Sequence, residues 1–200
     1  MANLSCNLLI VLSGPSGVGK DALLARMKEL GRPFHYVVTA TTRLQRAKEK
    51  NGVNYHFLSE EEFQQMRDKG ELLEWAKVYG NYYGVPRDEI RRALSKGKDV
   101  ILKLDVQGAA AIKKILPQAV FIFLMAASVE ELRRRLEQRH SESSVELTLR
   151  QEKAEEEMKS LPLFDYVITN RQGELDDAIS QIGAIVVAEK CRVNPRIIEL

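Results

Sequence analysis

The sequence predicts an α/β protein in which a parallel sheet carries helices on both faces. Three observations carry that prediction. Strand-length apolar runs alternate with helix-length amphipathic patterns through most of the chain. The runs at residues 7–13 and 119–125 are continuously apolar rather than alternating, as in strands buried on both faces. The first run passes straight into a glycine-rich turn and then into a helical pattern. Strand–helix–strand order of this kind requires right-handed crossovers and therefore parallel pairing.

Each element has a local reason. After the strand at 7–13, a helix over 21–30 places Leu23, Leu24 and Met27 on one face, with Gly31 as its stop. Residues 34–40 and 53–58 read as short strands separated by a basic, turn-prone stretch, 43–52. Ser59 and Glu62 form a capping box for a short helix that Gly70 ends. Residues 71–79 read as a strand and 80–84 as a tight aromatic turn. Pro86 suits the first turn of a helix through 95. A strand at 100–106, a helix at 107–116 and the strand at 119–125 follow. Ser128 and Glu131 form a second capping box, opening a helix whose outer face carries Arg133, Arg134, Arg135 and Arg139. A polar break at 140–144 precedes a long charged helix, 145–160, then a strand at 166–169 and a helix at 175–189. Residues 34–85 interrupt the alternation. They are expected to form an inserted subdomain, the core being 1–33 and 86–200, with a lid at about 135–150.

Composition narrows the functional classes. The 200 residues are 44% hydrophobic with a net charge of +2, which excludes disorder as the dominant state. The longest apolar stretch has nine residues, 119–127, against roughly 20 needed to span a bilayer, and residues 1–13 lack a basic segment and a cleavage pattern. Two cysteines, Cys6 and Cys191, give neither a disulfide framework nor metal-ligand spacing, so a reducing, cytoplasmic setting is expected. The near balance of 30 basic and 28 acidic residues gives no reason to expect a nucleic-acid polymer as partner. His35, His56 and His140 share no spacing with one another or with a cysteine and read as structural or exposed.

The strongest chemical signal is Gly14-Pro15-Ser16-Gly17-Val18-Gly19-Lys20, lying between a buried strand and a helix start. Glycines let successive backbone N–H groups converge on a phosphate, the helix N-terminus adds partial positive charge, and Lys20 supplies a mobile cation. A P-loop normally continues with Ser or Thr, whose hydroxyl binds Mg²⁺. Here Asp21 stands at that place. A carboxylate is also a good Mg²⁺ ligand, and it also suits the first turn of a helix.

With the insert in view, the sequence resembles the guanylate kinases, members of the nucleoside-monophosphate kinase group. The likeness extends over roughly residues 7–188. It is carried by 14–20, Thr41-Thr42-Arg43 with Arg46, and Asn51-Gly52-Val53-Asn54-Tyr55-His56-Phe57. Leu73-Glu74-Trp75, Gly80-Asn81-Tyr82-Tyr83-Gly84, Asp105-Val106-Gln107-Gly108 and residues 164–170 add to it. The resemblance implies a P-loop kinase core with a parallel five-stranded sheet, an inserted mixed α+β GMP-binding subdomain and a small helical lid. It implies transfer of the γ-phosphoryl group of ATP to GMP with Mg²⁺, in purine nucleotide metabolism, by a monomer or homodimer. Residue by residue, it implies that Arg43, Arg46, Tyr55 and Tyr83 hold the GMP phosphate and that Thr39, Glu74 and Asp105 read guanine. Residues 14–21 and Asn170 would bind ATP, with Asp21 as the Mg²⁺ ligand. Lys20, Arg43, Arg135, Arg139 and Arg150 would stabilise the transferring group.

Elementary chemistry agrees with those roles. Two arginines and two tyrosine hydroxyls make a dianion clamp. A carboxylate accepts together from N1–H and the exocyclic amine of guanine, whereas adenine has no N1–H and would leave it desolvated and unpaired. Arg43 and Arg46 by themselves would read as a solvated loop face. The chain departs from the family pattern at Asp21, at Val85 in place of a hydroxyl residue, in the loop 44–48, and at Lys103, where a carboxylate is usual. Lys103 lies two residues before Asp105 on a strand and so shares its face. We expect Lys103 to balance Asp21 within about 4 Å, or through one water, when no nucleotide is bound. Two other readings fit less of the chain. A ribose-phosphate kinase on the same scaffold has no need of Glu74 and Asp105. A non-catalytic guanylate-kinase-like binding module has no need of Lys20.

Overall fold

The computed structural model describes residues 7–47, 49–78, 80–137, 154 and 156–200. Strands β1 (Leu9–Ser13), β2 (Phe34–Tyr36), β7 (Asp99–Lys103), β8 (Val120–Met125) and β9 (Tyr166–Thr169) form one parallel sheet in the order β2-β7-β1-β8-β9. Helices α1 (Lys20–Glu29), α3 (Arg87–Ser95), α4 (Val106–Ile115), α5 (Val129–Glu137) and α6 (Leu175–Lys190) connect and cover it. The central strand shows why its sequence is apolar without a break. Leu8, Ile10 and Leu12 enter a core with Leu23, Met27, Ile179 and Ile182 from α1 and α6. Leu9 and Val11 enter the opposite core with Ile90, Ala93, Ala109 and Ile112 from α3 and α4. Each face of β1 is therefore sealed by two helices, as parallel crossovers require.

A second, mixed sheet has the order β4-β3-β6-β5, made of β3 (Ala40–Thr41), β4 (His56–Phe57), β5 (Leu72–Val78) and β6 (Asn81–Pro86). Helix α2 (Glu60–Asp68) packs Phe63 beneath it, and both halves of the Ser59–Glu62 capping box form. Three local expectations change here. The strand expected over 34–40 is two strands: β2 pairs with β7 in the parallel sheet, and β3 pairs with β4 and β6 in the mixed one. Only His56 and Phe57 of 53–58 are extended in a ladder. The aromatic segment 80–84 lies mostly in β6 rather than in a turn, because β5 and β6 close as a tight hairpin at Gly80. Side chains alternate in a strand, so Tyr83 and Tyr82 face opposite ways. Tyr83 lines the cavity described below, and Tyr82 stacks on Phe63.

Beyond α6 the chain returns to the sheet through an ion cluster. Glu189 is fully buried. Its carboxylate accepts from Arg196 Nε (2.8 Å) and Nη2 (3.0 Å) and from the Tyr166 hydroxyl (2.6 Å). Burial alone would raise the Glu189 carboxyl pKa, but these hydrogen bonds hold it below its ordinary value. Arg196 also donates to the Ala119 carbonyl at 3.1 Å, and Ile198 and Leu200 pack on the α3–α4 core. Arg196→Ala is expected to cost about 2–3 kcal/mol in a denaturant titration, since a buried carboxylate loses its main partner but keeps Tyr166 and Arg192. No helix among the described residues is long and apolar enough to cross a membrane.

Candidate active site

The carboxyl ends of β1 and β7 meet the N-termini of α1 and α4, which is where open parallel sheets bind ligands. The loop from 14 to 19 turns on glycines in the left-handed region, with φ of +143° at Gly14, +83° at Gly17 and +100° at Gly19. A Cβ on Gly14 would lie 2.1 Å from the Leu124 carbonyl oxygen, so glycine is sterically obligatory there. Lys20, the first residue of α1, folds back onto the loop. Its ammonium donates to the carbonyls of Gly14 (2.5 Å) and Pro15 (3.1 Å). Burial pushes its pKa from 10.5 down to about 8.

Two residues expected at the ATP side brace this loop. Arg135 Nη1 (3.0 Å) and Asn170 Nδ2 (2.8 Å) both donate to the Val18 carbonyl. Arg135 is itself held by Glu131 and by the Asn170 carbonyl at 2.8 Å. Arg139 and Arg150, and nearly all of the expected lid, lie outside the described residues. Glu157, which the sequence did not single out, accepts from the Ser16 backbone N–H at 3.1 Å and raises the Lys20 pKa against the effect of burial. A chain carboxylate thus sits at the rim of the phosphate nest.

Beside the loop lies a cavity of about 230 Å³. Lys20 and Asp21 line it, as do Thr39, Tyr55, Glu74, Tyr83 and Asp105 from the expected acceptor set. Val85 and Gly84 add an apolar wall. Burial first, and the neighbouring Asp105 second, push the Glu74 carboxyl up to about 7. Asp105 caps α4, accepting from the Gly108 backbone N–H at 2.8 Å through one carboxylate oxygen.

The basic pair of the clamp is placed differently. Neither Arg43 nor Arg46 lines this cavity. Arg43 donates through Nη2 to both oxygens of Glu49 (2.7 and 3.0 Å) and through Nη1 to the Leu44 carbonyl. Its guanidinium also lies 5.5 Å from the Tyr55 ring centre. The Arg46 backbone N–H donates to Glu49 at 2.9 Å. Burial would raise the Glu49 pKa, but these donors hold it below its usual value. Glu49 was missed in the sequence because a glutamate in a charged loop carries no signal until its chain neighbours converge on it.

The expected balance between Asp21 and Lys103 is present. The Lys103 ammonium lies 2.5 Å from Asp21 Oδ1. The Lys103 side chain is 22% exposed and that of Asp21 76%. Asp21 leaves a hard oxygen donor at the mouth of the phosphate loop. Mg²⁺ is held by one or two carboxylates plus phosphate oxygens and water, so one such carboxylate fits it.

A phosphate loop on a parallel α/β sheet, sharing a cavity with a second carboxylate- and tyrosine-lined pocket, defines a P-loop kinase of the nucleoside-monophosphate class. Comparison with known proteins fixes which one. The guanylate kinase family model matches residues 7–189, and the chain belongs to that family. It is 45% identical over 194 residues to guanylate kinase 2, chloroplastic/mitochondrial, of Oryza sativa subsp. japonica, covering 96% of this chain and 68% of the relative. It is 44% identical to the guanylate kinase of Caldanaerobacter subterraneus subsp. tengcongensis, covering 94% of this chain and 90% of the relative. The crystal structure of guanylate kinase from Anaplasma phagocytophilum superposes with a TM-score of 0.76 at 34% identity, over 94% of this chain and 89% of that one. The activity is that of an ATP:GMP phosphotransferase.

Proposed function

We propose that GMP occupies the 230 Å³ cavity, with its base on Glu74, Thr39 and Asp105 and its phosphate toward Tyr55, Tyr83, Arg43 and Arg46. ATP lies on residues 14–21, with Asn170 and Arg135 fixing the loop that holds it. The observation that carries this reading is that Lys20 and Glu74 line one cavity, so a phosphoryl donor and a guanine-reading carboxylate open onto the same space.

The GMP phosphate is already an anionic nucleophile, so the chain's task is alignment and charge neutralisation. Lys20 leaves the Gly14 and Pro15 carbonyls for the β- and γ-oxygens, which stabilise the charge that burial disfavours in the empty loop. Asp21 would be the protein ligand of Mg²⁺, which would supply charge neutralisation to the ATP phosphates. Glu157 has to yield the Ser16 N–H when a phosphate enters the nest. Residues 34–85 act as the GMP-binding subdomain, attached to the 1–33 and 86–200 core through β2, and close on GMP while a lid at about 135–150 brings Arg139 and Arg150 over the transferring group. Closure excludes water, which would otherwise accept the phosphoryl group.

A coupled ADP-release assay with GMP, AMP, UMP and ribose phosphates tests this. Turnover with GMP should exceed that with AMP by about 10³-fold or more in kcat/KM, because adenine strands the Glu74 carboxylate. Comparable turnover of AMP or of a ribose phosphate would overturn it.

A further inference from the structure

One cation in the site has no assigned task. Lys103 ends β7 at the point where the donor and acceptor halves of the cavity meet. On one side its ammonium rests on Asp21, next in sequence to Lys20. On the other it lies over the Tyr55 ring, 5.4 Å from its centre. Tyr55 in turn packs edge-on against Tyr83, with ring centres 6.1 Å apart. Lys103 therefore touches the two-tyrosine wall toward which the acceptor phosphate is aimed.

Charge makes the assignment specific. The clamp's leading cation, Arg43, has its Nη2 donors on Glu49, a carboxylate only 17% exposed, so the pair is close to neutral. Arg43 reaches the same wall, 5.5 Å from the Tyr55 ring centre and beside Tyr83, but with Glu49 on its guanidinium it does not by itself balance a phosphate dianion there. Lys103 is the lysine that already lies over the Tyr55 ring of that wall. Its present counter-ion, Asp21, is 76% exposed and well solvated, so it holds the ammonium less firmly than a desolvated dianion does.

We infer that Lys103 is a phosphate-binding residue of the acceptor site, parked on Asp21 in the empty enzyme and transferred to the GMP phosphate when the nucleotide enters. The inference rests on the reading that the cavity takes GMP, and it adds a ligand where the family pattern has a carboxylate. Moving the ammonium toward GMP also releases the Asp21 carboxylate at the moment the donor side needs it.

The test uses binding alone, in EDTA without ATP: calorimetry for GMP and an NMR titration for guanosine, which has the base and lacks the phosphate. Lys103→Gln should raise the Kd of GMP about tenfold or more and leave guanosine within about twofold. Lys103→Arg should restore GMP affinity to within about threefold of the parent, and Asp21→Asn should leave it equal or tighter. Unchanged GMP binding in Lys103→Gln overturns the inference, as does an equal loss for guanosine. So does an Asp21→Asn loss matching that of Lys103→Gln, which would assign the effect to the ion pair. Failure of the underlying reading looks different: the parent enzyme would then bind AMP as tightly as GMP.

Discussion

Lys20→Met is expected to lower kcat by about 10³-fold or more while the Kd of GMP stays within about threefold of the parent value. The ammonium is the one flexible cation of the phosphate loop, and it acts on charge that develops in the transition state. GMP binding draws on Glu74 and the tyrosines and is largely spared. Stability separates this loss from misfolding. The Lys20 pKa falls from 10.5 to about 8 because burial disfavours its charge. Between those values the unfolded chain binds more protons than the folded one, so stability rises with pH from about 8 to 10.5. At pH 7 the folded enzyme carries a buried charge that methionine does not. The variant should therefore melt within a few degrees of the parent or above it, even after losing two hydrogen bonds to loop carbonyls. An active Lys20→Met enzyme would remove the phosphate-loop assignment.

Glu74→Gln should weaken GMP by about 2–3 kcal/mol at pH 8, because a carboxylate accepting two donors from guanine becomes an amide that matches only one of them. AMP, already poor, should change little, and equal losses for both nucleotides would point away from base recognition. The same substitution should stabilise the empty enzyme. Glu74 rises from 4.5 to about 7, chiefly through burial and then through Asp105. From pH 4.5 to 7 the folded state binds the extra proton, so stability falls with rising pH across that window. Glutamine removes this penalty, worth about 1–2 kcal/mol near neutral pH once partial solvent exposure is discounted. GMP binding needs the ionised carboxylate, so its affinity should fall more steeply below pH 7 in the parent than in the variant, where only protonation of the GMP phosphate, at about pH 6, remains. ATP binding needs the charged Lys20 and should weaken above pH 8. The two limbs give a bell-shaped pH profile with its top between about 7 and 8.

Lys20 was legible in the sequence because its signal is local, whereas Glu74 was reached only through the family resemblance. A buried strand, a glycine run and a helix start are contiguous in sequence, and the geometry of residues 14–20 follows from backbone rules acting over a few residues. The Ser59 capping box and the parallel order implied by alternation are equally short-range, whereas the strand expected to carry both Lys103 and Asp105 ends at Lys103, and Asp105 caps α4. The expected proximity of Lys103 and Asp21 came from likeness to related P-loop folds, in which that strand position adjoins the loop.

Tertiary structure alone decided the rest, wherever a partner comes from far along the chain. Whether 34–40 makes one strand or two depends on which edges β7 and β6 leave open, and residues 34–40 say nothing of either. That Tyr82 and Tyr83 lie in a strand depends on β5 reaching Val78 before the chain turns. Glu157 meets Ser16 across 141 residues, and Asn170 meets Val18 across 152. Glu49 occupies Arg43 because the loop folds over on itself. Hydrophobic patterning sets which faces are buried, so it fixes the elements and their layers. A polar side chain takes whichever partner the folded chain brings within about 3 Å, and that choice exists only after the layers have closed.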